Sequence, residues 1–500
     1  MSKVEALIVS KFEGIFRPGQ TGRTSRRRRM DAASEMYNFL INDDGHLHMP
    51  PASELFYTFG TAVEVLSIHY VEDPRGMVVQ LSDGKIYHFG IEPATSALVE
   101  PASPTLLATI PAAENDGWKI WVNSVNQGYF LMGYAPRGSA GSVDDGKTWK
   151  VAGTYLVPTT TDISSTVVVN ASYSTLYKGR RFWARRGRQV YFSSLNEYDQ
   201  PAGADDTFTI SGDDAGSSSN DNPGFVSGMV SWENVLIFFL NGSVWMLTGS
   251  SPDTYQLSQM QTMVGNAFNQ SWTLMRTDYG VLTFGGTSLN NPGIYLFTGS
   301  NATKVSRPIN DWMSWRGRLY GALSRGMYIL ASSRSDETER QFLLYNLETQ
   351  QWVAFDGYVY GVATVRNNEI FIGSEDKVYL ARSETFPRKP GRGARIRIGY
   401  EDEENPSGLN RYISVKLAGR KWGTGSPTIT VTATTSDTTY TSPAVVIPSD
   451  VFESMVIPLN IRGAALELDI VVTPVNDDNE VLLENIQVVL SRKMHKASRG

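Results

Sequence analysis

Short apolar runs bounded by Gly, Asn, Asp and Ser recur along most of the sequence, and no other feature restricts its fold as strongly. The runs are rich in Val, Ile, Phe, Tyr and Trp, which favour strands, and the residues between them favour tight turns. Closely spaced strands with almost no helical periodicity predict an all-β fold, built as a sandwich, a barrel or a propeller. Clear examples are residues 77–90, 119–134, 180–194, 280–299, 342–357 and 369–383.

The most apolar of these runs, residues 234–247, predicts a hairpin and not a membrane span. It is too short to cross a bilayer, and Asn241-Gly242 divides it with the pair that two-residue turns prefer. The apolar residues near the N-terminus are interrupted by Lys3 and Glu5, unlike the core of a secretory signal. We therefore expect no membrane span, and synthesis in the cytoplasm.

The spacing of the hairpins favours a β-propeller over the alternatives. Hairpin pairs that end in an aromatic residue and Gly return roughly every 40 to 60 residues, close to the size of a four-stranded blade. The repeats are degenerate, so the prediction is a propeller of six to eight blades over residues 61–388. Residues 1–60 are expected to supply an N-terminal strand and a basic arm that lead into it.

The composition changes at residues 386–395, where two Pro, two Gly and four basic residues form a linker-like stretch. Alternating strands follow, as in residues 428–435 and 466–474. We expect residues 389–500 to form a small C-terminal β-sandwich or barrel.

Composition excludes several kinds of chemistry. The 500-residue chain has no Cys, so disulfides, Cys-based metal sites and thiol catalysis are excluded. A net charge of -6, from 51 acidic and 45 basic residues, argues against a surface that grips nucleic acid throughout.

Residues 141–148 match the phosphate-loop pattern G-x-x-x-x-G-K-T, but their context does not fit it. A phosphate loop opens a helix, whereas the residues after Thr148 continue as a strand, and two Asp would face the phosphates. The same segment resembles the Asp-box of β-propellers, a structural hairpin between outer strands of a blade. The matching residues are Ser142, Asp144, Gly146, Thr148 and Trp149.

No catalytic residue, metal site or cofactor is predicted. A glycosidase needs two carboxylates at a defined separation, which a sequence does not show, and residues 16–19 only weakly echo a sialidase motif. The five His residues are scattered, and surface or core positions suit them better than metal ligation.

Two basic clusters are open to two interpretations, a solvated surface or an interface. The first lies in a Gly- and Ser/Thr-rich arm and suits an acidic partner or a phosphate backbone. The second is a strand with positive charge on both faces, which suits a salt-bridged subunit interface. The candidate interface residues are Arg26, Arg27, Arg28, Arg29, Arg181, Arg185 and Arg186.

The order of several segments resembles the tail nozzle proteins of short-tailed bacteriophages, also called tail tubular or packaged-DNA stabilisation proteins. The shared features are an Asn near the first strand, a strand followed by an acidic loop, hairpins that end in Trp or Tyr and Gly, and a short final β domain. The segments that carry the resemblance are residues 37–51, 190–214, 225–249, 264–272, 293–312 and 341–357.

The resemblance implies a non-enzymatic, hexameric ring in the virion tail, through which genomic DNA is retained and then ejected. It also implies an adaptor ring below the portal and tail fibres or spikes as partners, and no sequence-specific DNA binding. A conduit should hold few fixed cations, so acidic segments are candidates to line or rim the channel, or are solvated loops. These candidates are residues 476–480 and Glu401, Asp402, Glu403 and Glu404.

The alternative function is a carbohydrate-active or carbohydrate-binding propeller, either sialidase-like or a host-receptor adhesin.

Overall fold

The computed structural model describes residues 2–12, 33–60, 62–92, 104–115, 119–125, 127–134, 146–163, 171–184, 188–200, 206–210, 226–240, 243–260, 274–285, 292–299, 301–312, 320–324, 326–333, 339–359, 362–366, 369–381, 388–401, 410–448, 450–463 and 465–493. Within these residues the chain is almost entirely β-strand, with two short 3-10 helices at Pro252–Thr254 and Arg307–Trp312. The predicted all-β class is confirmed. In the same residues, no helix has the length and apolar character needed to cross a membrane.

The N-terminal segment supplies five strands, of which all but β3 pair with distant parts of the chain. They are β1 (Ser2–Val9), β2 (Ala33–Tyr37), β3 (Leu40–Ile41), β4 (Leu47–Met49) and β5 (Glu54–Thr58).

Small antiparallel sheets of four strands follow one another along the middle of the chain. The first contains β6 (Val65–Glu72), β7 (Arg75–Leu81), β8 (Lys85–Gly90) and β9 (Thr105–Thr109). The second contains β10 (Trp121–Val125), β11 (Tyr129–Tyr134), β12 (Lys147–Gly153) and β13 (Pro158–Asp162). The third contains β14 (Tyr173–Tyr177), β15 (Arg180–Ala184), β16 (Gln189–Phe192) and β17 (Thr207–Thr209).

The next four sheets repeat this pattern. The fourth contains β18 (Val226–Trp232), β19 (Val235–Leu240), β20 (Val244–Thr248) and β21 (Gln256–Gln259). The fifth contains β22 (Met275–Thr277), β23 (Gly280–Gly285), β24 (Gly293–Phe297) and β25 (Ala302–Lys304). The sixth contains β26 (Tyr320–Ser324), β27 (Met327–Ser333), β28 (Glu339–Asn346) and β29 (Trp352–Val359), which are the first four strands of a longer ten-stranded sheet. The seventh contains β30 (Val362–Arg366), β31 (Glu369–Ser374), β32 (Lys377–Ala381) and β5.

Strand β19 shows why its sequence is a continuous apolar run. Alternate side chains enter different clusters: Phe238 packs toward the third sheet, whereas Ile237 and Phe239 pack toward the fifth. Because neighbouring sheets cover both of its faces, the strand has no solvent side and needs no polar alternation. The predicted hairpin of residues 234–247 is confirmed, since β19 and β20 pair antiparallel from Phe239 opposite Val244. Its turn lies outside the described residues.

The seven sheets are arranged so that their first strands meet in sequence. β6 lies beside β10, β10 beside β14, β14 beside β18, β18 beside β22, β22 beside β26, and β26 beside β30. The series returns to its start, because β30 also lies beside β6. The last sheet obtains its fourth strand from the N-terminal segment, with Thr58 opposite Lys377 and Glu54 opposite Leu380.

The remaining strands form two sheets around a shared apolar core. They are β33 (Ala394–Glu401), β34 (Asn410–Trp422), β35 (Thr428–Thr434), β36 (Thr439–Thr441), β37 (Val445–Val446), β38 (Val451–Gly463), β39 (Ala465–Thr473) and β40 (Glu480–Lys493). One sheet has the order β3-β4-β40-β34-β38, with β1 also on β40. The other continues from β29 through β2, β33, β39, β35 and β36, so it is joined to the sixth sheet. Thus β1, β2 and β4 pair with C-terminal strands, β3 pairs with β4, and β5 pairs within the ring of sheets.

Candidate functional site

The position of Arg181 contradicts part of the predicted interface. We expected its side chain on a charged surface, but Arg181 is 0% exposed and lies between the second and third sheets. The prediction treated one face of β15 as solvated, whereas the neighbouring sheet covers that face. The other candidates, Arg26, Arg27, Arg28, Arg29, Arg185 and Arg186, lie outside the described residues, and their role stays a prediction.

The Arg181 guanidinium is held between two indole rings. Its Cζ lies 4.7 Å from the Trp121 ring centroid and 4.8 Å from that of Trp183, a geometry that favours cation–π attraction. Its Nε donates to Ser174 Oγ at 3.0 Å. Burial lowers the pKa of Arg181 to about 9, and the nearby Tyr129 and Asp199 oppose this shift. Arg181 is therefore a packing residue between two sheets.

The Asp-box-like segment, which the structure describes from Gly146 onward, connects β11 to β12. These are the second and third strands of their sheet, and not the outer pair that the resemblance implies. Gly146 has φ +104, Thr148 is buried, and Trp149 packs on Tyr134 with ring centroids 5.6 Å apart. Ser142 and Asp144 lie outside the described residues. Since Thr148 and Trp149 belong to β12 and no helix follows, the phosphate-loop interpretation lacks its required context.

The two acidic segments differ in how much the structure describes. Glu401 ends β33, where it is opposite Ala465, and Asp402, Glu403 and Glu404 lie outside the described residues. A position of these residues on a channel stays a prediction. Residues 476–480 form a hydrogen-bonded turn, in which Asp478 accepts from the backbone and hydroxyl of Thr424 at 2.8 Å each. These bonds lower the pKa of Asp478 and give the turn a structural role.

The described His residues do not form a metal site. His48 Nε2 lies 3.2 Å from Glu480 Oε2, and His88 Nε2 lies 3.3 Å from the carbonyl oxygen of Pro74. In the part of the chain that the structure describes, no three His, Asp or Glu side chains are grouped closely enough to hold a metal ion.

A cavity of about 450 Å³ lies where the first strands of six sheets converge. Its wall combines aromatic and polar side chains with an apolar remainder that includes Met229 and Met275. Of the described residues that line it, none is Asp or Glu. The aromatic and polar wall residues that define its chemistry are His69, Lys119, Trp121, Tyr173, Ser174 and Tyr320.

Lys119 gives the cavity wall its positive charge. The residue is 7% exposed, and its Nζ lies 3.0 Å from the centroid of the Tyr320 ring. Burial and the charge of Lys119 lower the pKa of His69 to about 3, so His69 is neutral at pH 7. Trp121 is fixed beside them, because its Nε1 donates to the carbonyl oxygen of Ala171 at 2.8 Å.

Sequence reasoning did not find this cavity. Its wall comes from segments that are 45 or more residues apart, such as those of His69, Lys119 and Tyr320, and each segment alone is an ordinary strand. The isolated Lys119, two residues before β10 begins at Trp121, was the available signal, because Lys is rarely buried in a core.

No family model matches the sequence, and no curated protein matches it. Among solved structures, the chain is similar to the WD40 domain of Pan2 from Neurospora crassa, with 10% identity and a TM-score of 0.39 over 67% of this chain and 94% of that domain. It is also similar to an exo-β-1,3-galactanase from Phanerochaete chrysosporium. The form bound to β-1,3-galactotriose has 12% identity and a TM-score of 0.29 over 88% of this chain and 100% of that one. The form bound to galactose has 11% identity and a TM-score of 0.24 over 63% and 94%.

Proposed function

We propose that this chain is a structural subunit of a short-tailed phage virion, the distal tail nozzle. In this proposal six copies form a ring through which genomic DNA is retained and ejected. The adaptor ring below the portal and the tail fibres or spikes are its partners, and the chain is made in the bacterial cytoplasm before assembly. The ordered sequence features that resemble tail nozzle proteins support this proposal.

We also propose that the seven four-stranded sheets are the blades of a seven-bladed β-propeller. The closed series of contacts between first strands supports this assignment, as does the N-terminal strand β5 in the last sheet. The C-terminal strands, together with β1 to β4, would then form a β-sandwich beside the propeller.

The observation that carries the structural role is the pairing of N-terminal strands with strands far along the chain. Strand β1 pairs with β40 over eight consecutive residue pairs, from Ser2 opposite Lys493 to Val9 opposite Ile486. Strand β5 pairs in the last sheet of the ring. A subunit that confines DNA under pressure needs such closure, because free strand ends are where local unfolding begins.

The cavity inside one subunit is not the proposed DNA path. A volume of about 450 Å³ suits a small molecule and is far too small for a duplex. The proposal therefore places DNA on the axis of the assembled ring, between subunits.

Electron microscopy and mass photometry of the purified full chain test this proposal. We expect closed rings with an open pore, either spontaneously or after addition of the adaptor ring. A chain that stays monomeric under both conditions and cleaves glycosides would reject it.

The second candidate is a carbohydrate-binding propeller, and the aromatic wall of the cavity is what favours it. Trp121, Tyr173 and Tyr320 offer ring surfaces on which a sugar could stack. Hydrolysis requires two carboxylates, and the described residues of the cavity wall supply none, so binding suits this wall better than cleavage. A glycan array combined with a panel of fluorogenic glycosides separates the two activities.

A further inference from the structure

We propose that two different surfaces of this chain bind each other between neighbouring copies. The first, the outer face, is the solvent-facing side of the sheet that contains β1, β34, β38 and β40. The second, the turn face, consists of the turns that follow the first and third strands of the sheets in the ring. This inference rests on the proposed ring of copies and names the surfaces that join one copy to the next.

The outer face carries large apolar side chains that the core does not use. Along β38, Phe452 and Ile457 are buried in the core, whereas the neighbouring Val451 and Val456 are exposed. Single exposed apolar residues are ordinary, but several on one sheet face indicate an interaction surface. Five such residues on this face are 36% to 63% exposed, namely Ile8, Ile413, Trp422, Val451 and Val456.

The charges on the outer face favour an acidic partner. Arg462 on β38 is directly opposite Arg411 on β34, and like charges in this arrangement repel each other. Glu484 is already engaged, since it accepts from Arg420 Nε at 2.9 Å. An acidic partner over Arg411 and Arg462 offsets their repulsion. In the part of these strands that the structure describes, the charged residues of the face are Arg411, Lys416, Arg420, Arg462, Glu453, Glu480 and Glu484.

Hydrogen bonds between neighbouring sheets show that the turns lie together on one face of the ring. Gln127 Nε2, in a turn after a first strand, donates to the carbonyl oxygen of Asn196, in the turn after the third strand of the next sheet, at 3.2 Å. The Tyr177 hydroxyl, at the end of β14, donates to the carbonyl oxygens of Asn234 at 2.7 Å and Gly249 at 3.1 Å, in two turns of the fourth sheet. The turns therefore form a continuous surface.

The turn face has the opposite charge and its own exposed apolar residues. Within the turns that the structure describes, Lys178 is the only exposed basic residue. The exposed acidic residues there are Asp73, Glu197, Glu233, Asp253, Asp278 and Glu348. The exposed large apolar residues are Leu156, Val157, Leu195 and Tyr279. An acidic surface with apolar side chains complements the outer face in both respects.

The size of the outer face suits a stable contact between subunits. At about 3.3 Å per residue and about 4.8 Å between strands, three strands of 13 or 14 residues and the shorter β1 present roughly 750 Å². This is close to the roughly 800 Å² that each partner contributes to a stable interface. Because the two surfaces differ, the contact is head-to-tail, which is the type that generates rings. A twofold contact of the outer face with itself would instead bring its basic groups together.

Charge reversal in the full chain tests the proposal, by mass photometry under the conditions in which the unmodified chain forms rings. Val456→Asp combined with Arg462→Glu makes the outer face acidic, and Glu233→Lys combined with Asp278→Lys makes the turn face basic. Each double variant alone should associate about a hundredfold more weakly or worse, because like charges then face each other. A one-to-one mixture of the two should form rings again, since acidic groups meet basic groups at every contact when the variants alternate.

The matched controls are Val446→Asp and Glu375→Lys. Val446 is exposed on β37, in the other sheet of the C-terminal strands. Glu375 has φ +54 in the turn between β31 and β32, at the opposite end of its sheet, just as Glu233 has φ +50 in its own turn. Both control variants should form rings like the unmodified chain.

Hydroxyl-radical footprinting of the unmodified chain needs no variant. When rings form, the oxidation of both Trp422 and Tyr279 should fall, whereas that of Leu55, exposed on β5 outside both surfaces, should not change. Rings that leave Trp422 and Tyr279 reactive, or rings formed by either folded double variant alone, would overturn the inference and leave the proposed function standing. The inference is also overturned if the mixture does not assemble, or if the outer-face variant loses only its binding to the adaptor ring. A chain that stays monomeric with and without the adaptor ring rejects the proposed function and this inference together.

Discussion

Arg388 donates from Nε to the carbonyl oxygen of Pro50 at 2.6 Å, although the two residues are 338 positions apart. The Arg388 side chain is 0% exposed, and its Nη1 donates to the carbonyl oxygen of Arg392 at 2.7 Å. Its Nη2 donates to the carbonyl oxygens of Asp477 at 2.9 Å and Asn479 at 3.3 Å. One guanidinium therefore joins the N-terminal segment, the basic stretch after the ring of sheets and the turn before β40.

Replacing Arg388 with Met should destabilise the fold strongly. The substitution leaves four carbonyl oxygens without this donor, and two of the lost hydrogen bonds, to Pro50 and Asn479, are fully buried. Each buried acceptor left without a donor typically costs about 1 to 3 kcal/mol. Arg388→Lys should give an intermediate loss, because one ammonium group does not reach all four acceptors. Urea unfolding followed by tryptophan fluorescence measures the change.

Arg411→Met is the control, since Arg411 is exposed and bonds to Asn460, and its loss should cost about 0.5 kcal/mol or less. Equal stability of the Arg388→Met and Arg411→Met chains would contradict the stabilising role of the Arg388 hydrogen bonds.

Acid should destabilise the protein through two buried imidazoles. Burial lowers the pKa of His88 to about 4, and burial together with Lys119 lowers that of His69 to about 3. Both values lie below the ordinary value of about 6.5 in an unfolded chain. Their contribution to stability is fully present above pH 6.5 and is lost as the pH falls toward 4 and 3, because the unfolded chain takes up protons first. At pH 5 the loss is about 2 kcal/mol for each imidazole.

Unfolding free energies at pH 8 and pH 5 check this sign. His88→Gln should remove about 2 kcal/mol of the difference between the two pH values. The measurement at pH 8 is the internal control, because both states are then neutral and any change there reports packing alone. A pH dependence identical to that of the unmodified chain would show that His88 is not the titrating group.

The sequence was sufficient to predict strands and hairpins, because those depend on local patterns. The run containing Phe238 and Phe239 is an example, since its composition and the following Asn241-Gly242 define a hairpin without any knowledge of neighbours. The burial of Arg181 could not be predicted in this way. Its alternation with apolar residues suggests a solvated face, and only the packing of one sheet on the next removes that face.

The hydrogen bonds of Arg388 and the cavity could not be predicted from the sequence, for a related reason. Arg388 stands in a Pro- and Gly-rich basic stretch that predicts an exposed linker, yet it bonds to carbonyl groups up to 338 residues away. Lys119 and Tyr320 meet only because their sheets are arranged around a common centre. Such contacts depend on closure of the whole ring of sheets, which local propensity does not specify.

Gly419 in β34 should not tolerate a methyl group. A Cβ at this position would collide with the backbone carbonyl oxygen of Leu482 and would lie 2.9 Å from the Phe452 ring. The backbone acceptor cannot move without breaking the β34–β40 ladder, so Gly419→Ala should cost about 2 kcal/mol or more. Thermal unfolding followed by circular dichroism measures this. Lys416→Ala on the same strand is the control and should change stability by about 0.5 kcal/mol or less. A melting temperature of Gly419→Ala equal to that control would mean that β34 and β40 are not packed as closely as described.

A disulfide between β5 and β32 should form and stabilise the closure of the ring of sheets. Thr58 and Lys377 are directly opposite in the antiparallel register, and directly opposite residues lie within the separation that a disulfide spans. The chain contains no Cys, so Thr58→Cys combined with Lys377→Cys introduces the only two thiols.

The oxidised double variant should show a shifted mobility on a non-reducing gel. It should also be more stable than its reduced form by about 2 to 5 kcal/mol, because the bond closes a long loop of the unfolded chain. Each single variant is the control and should show neither effect. If the two thiols stay reduced under mild oxidant while the chain is folded, β5 does not occupy the last sheet, and the proposed seven-bladed closure fails with it.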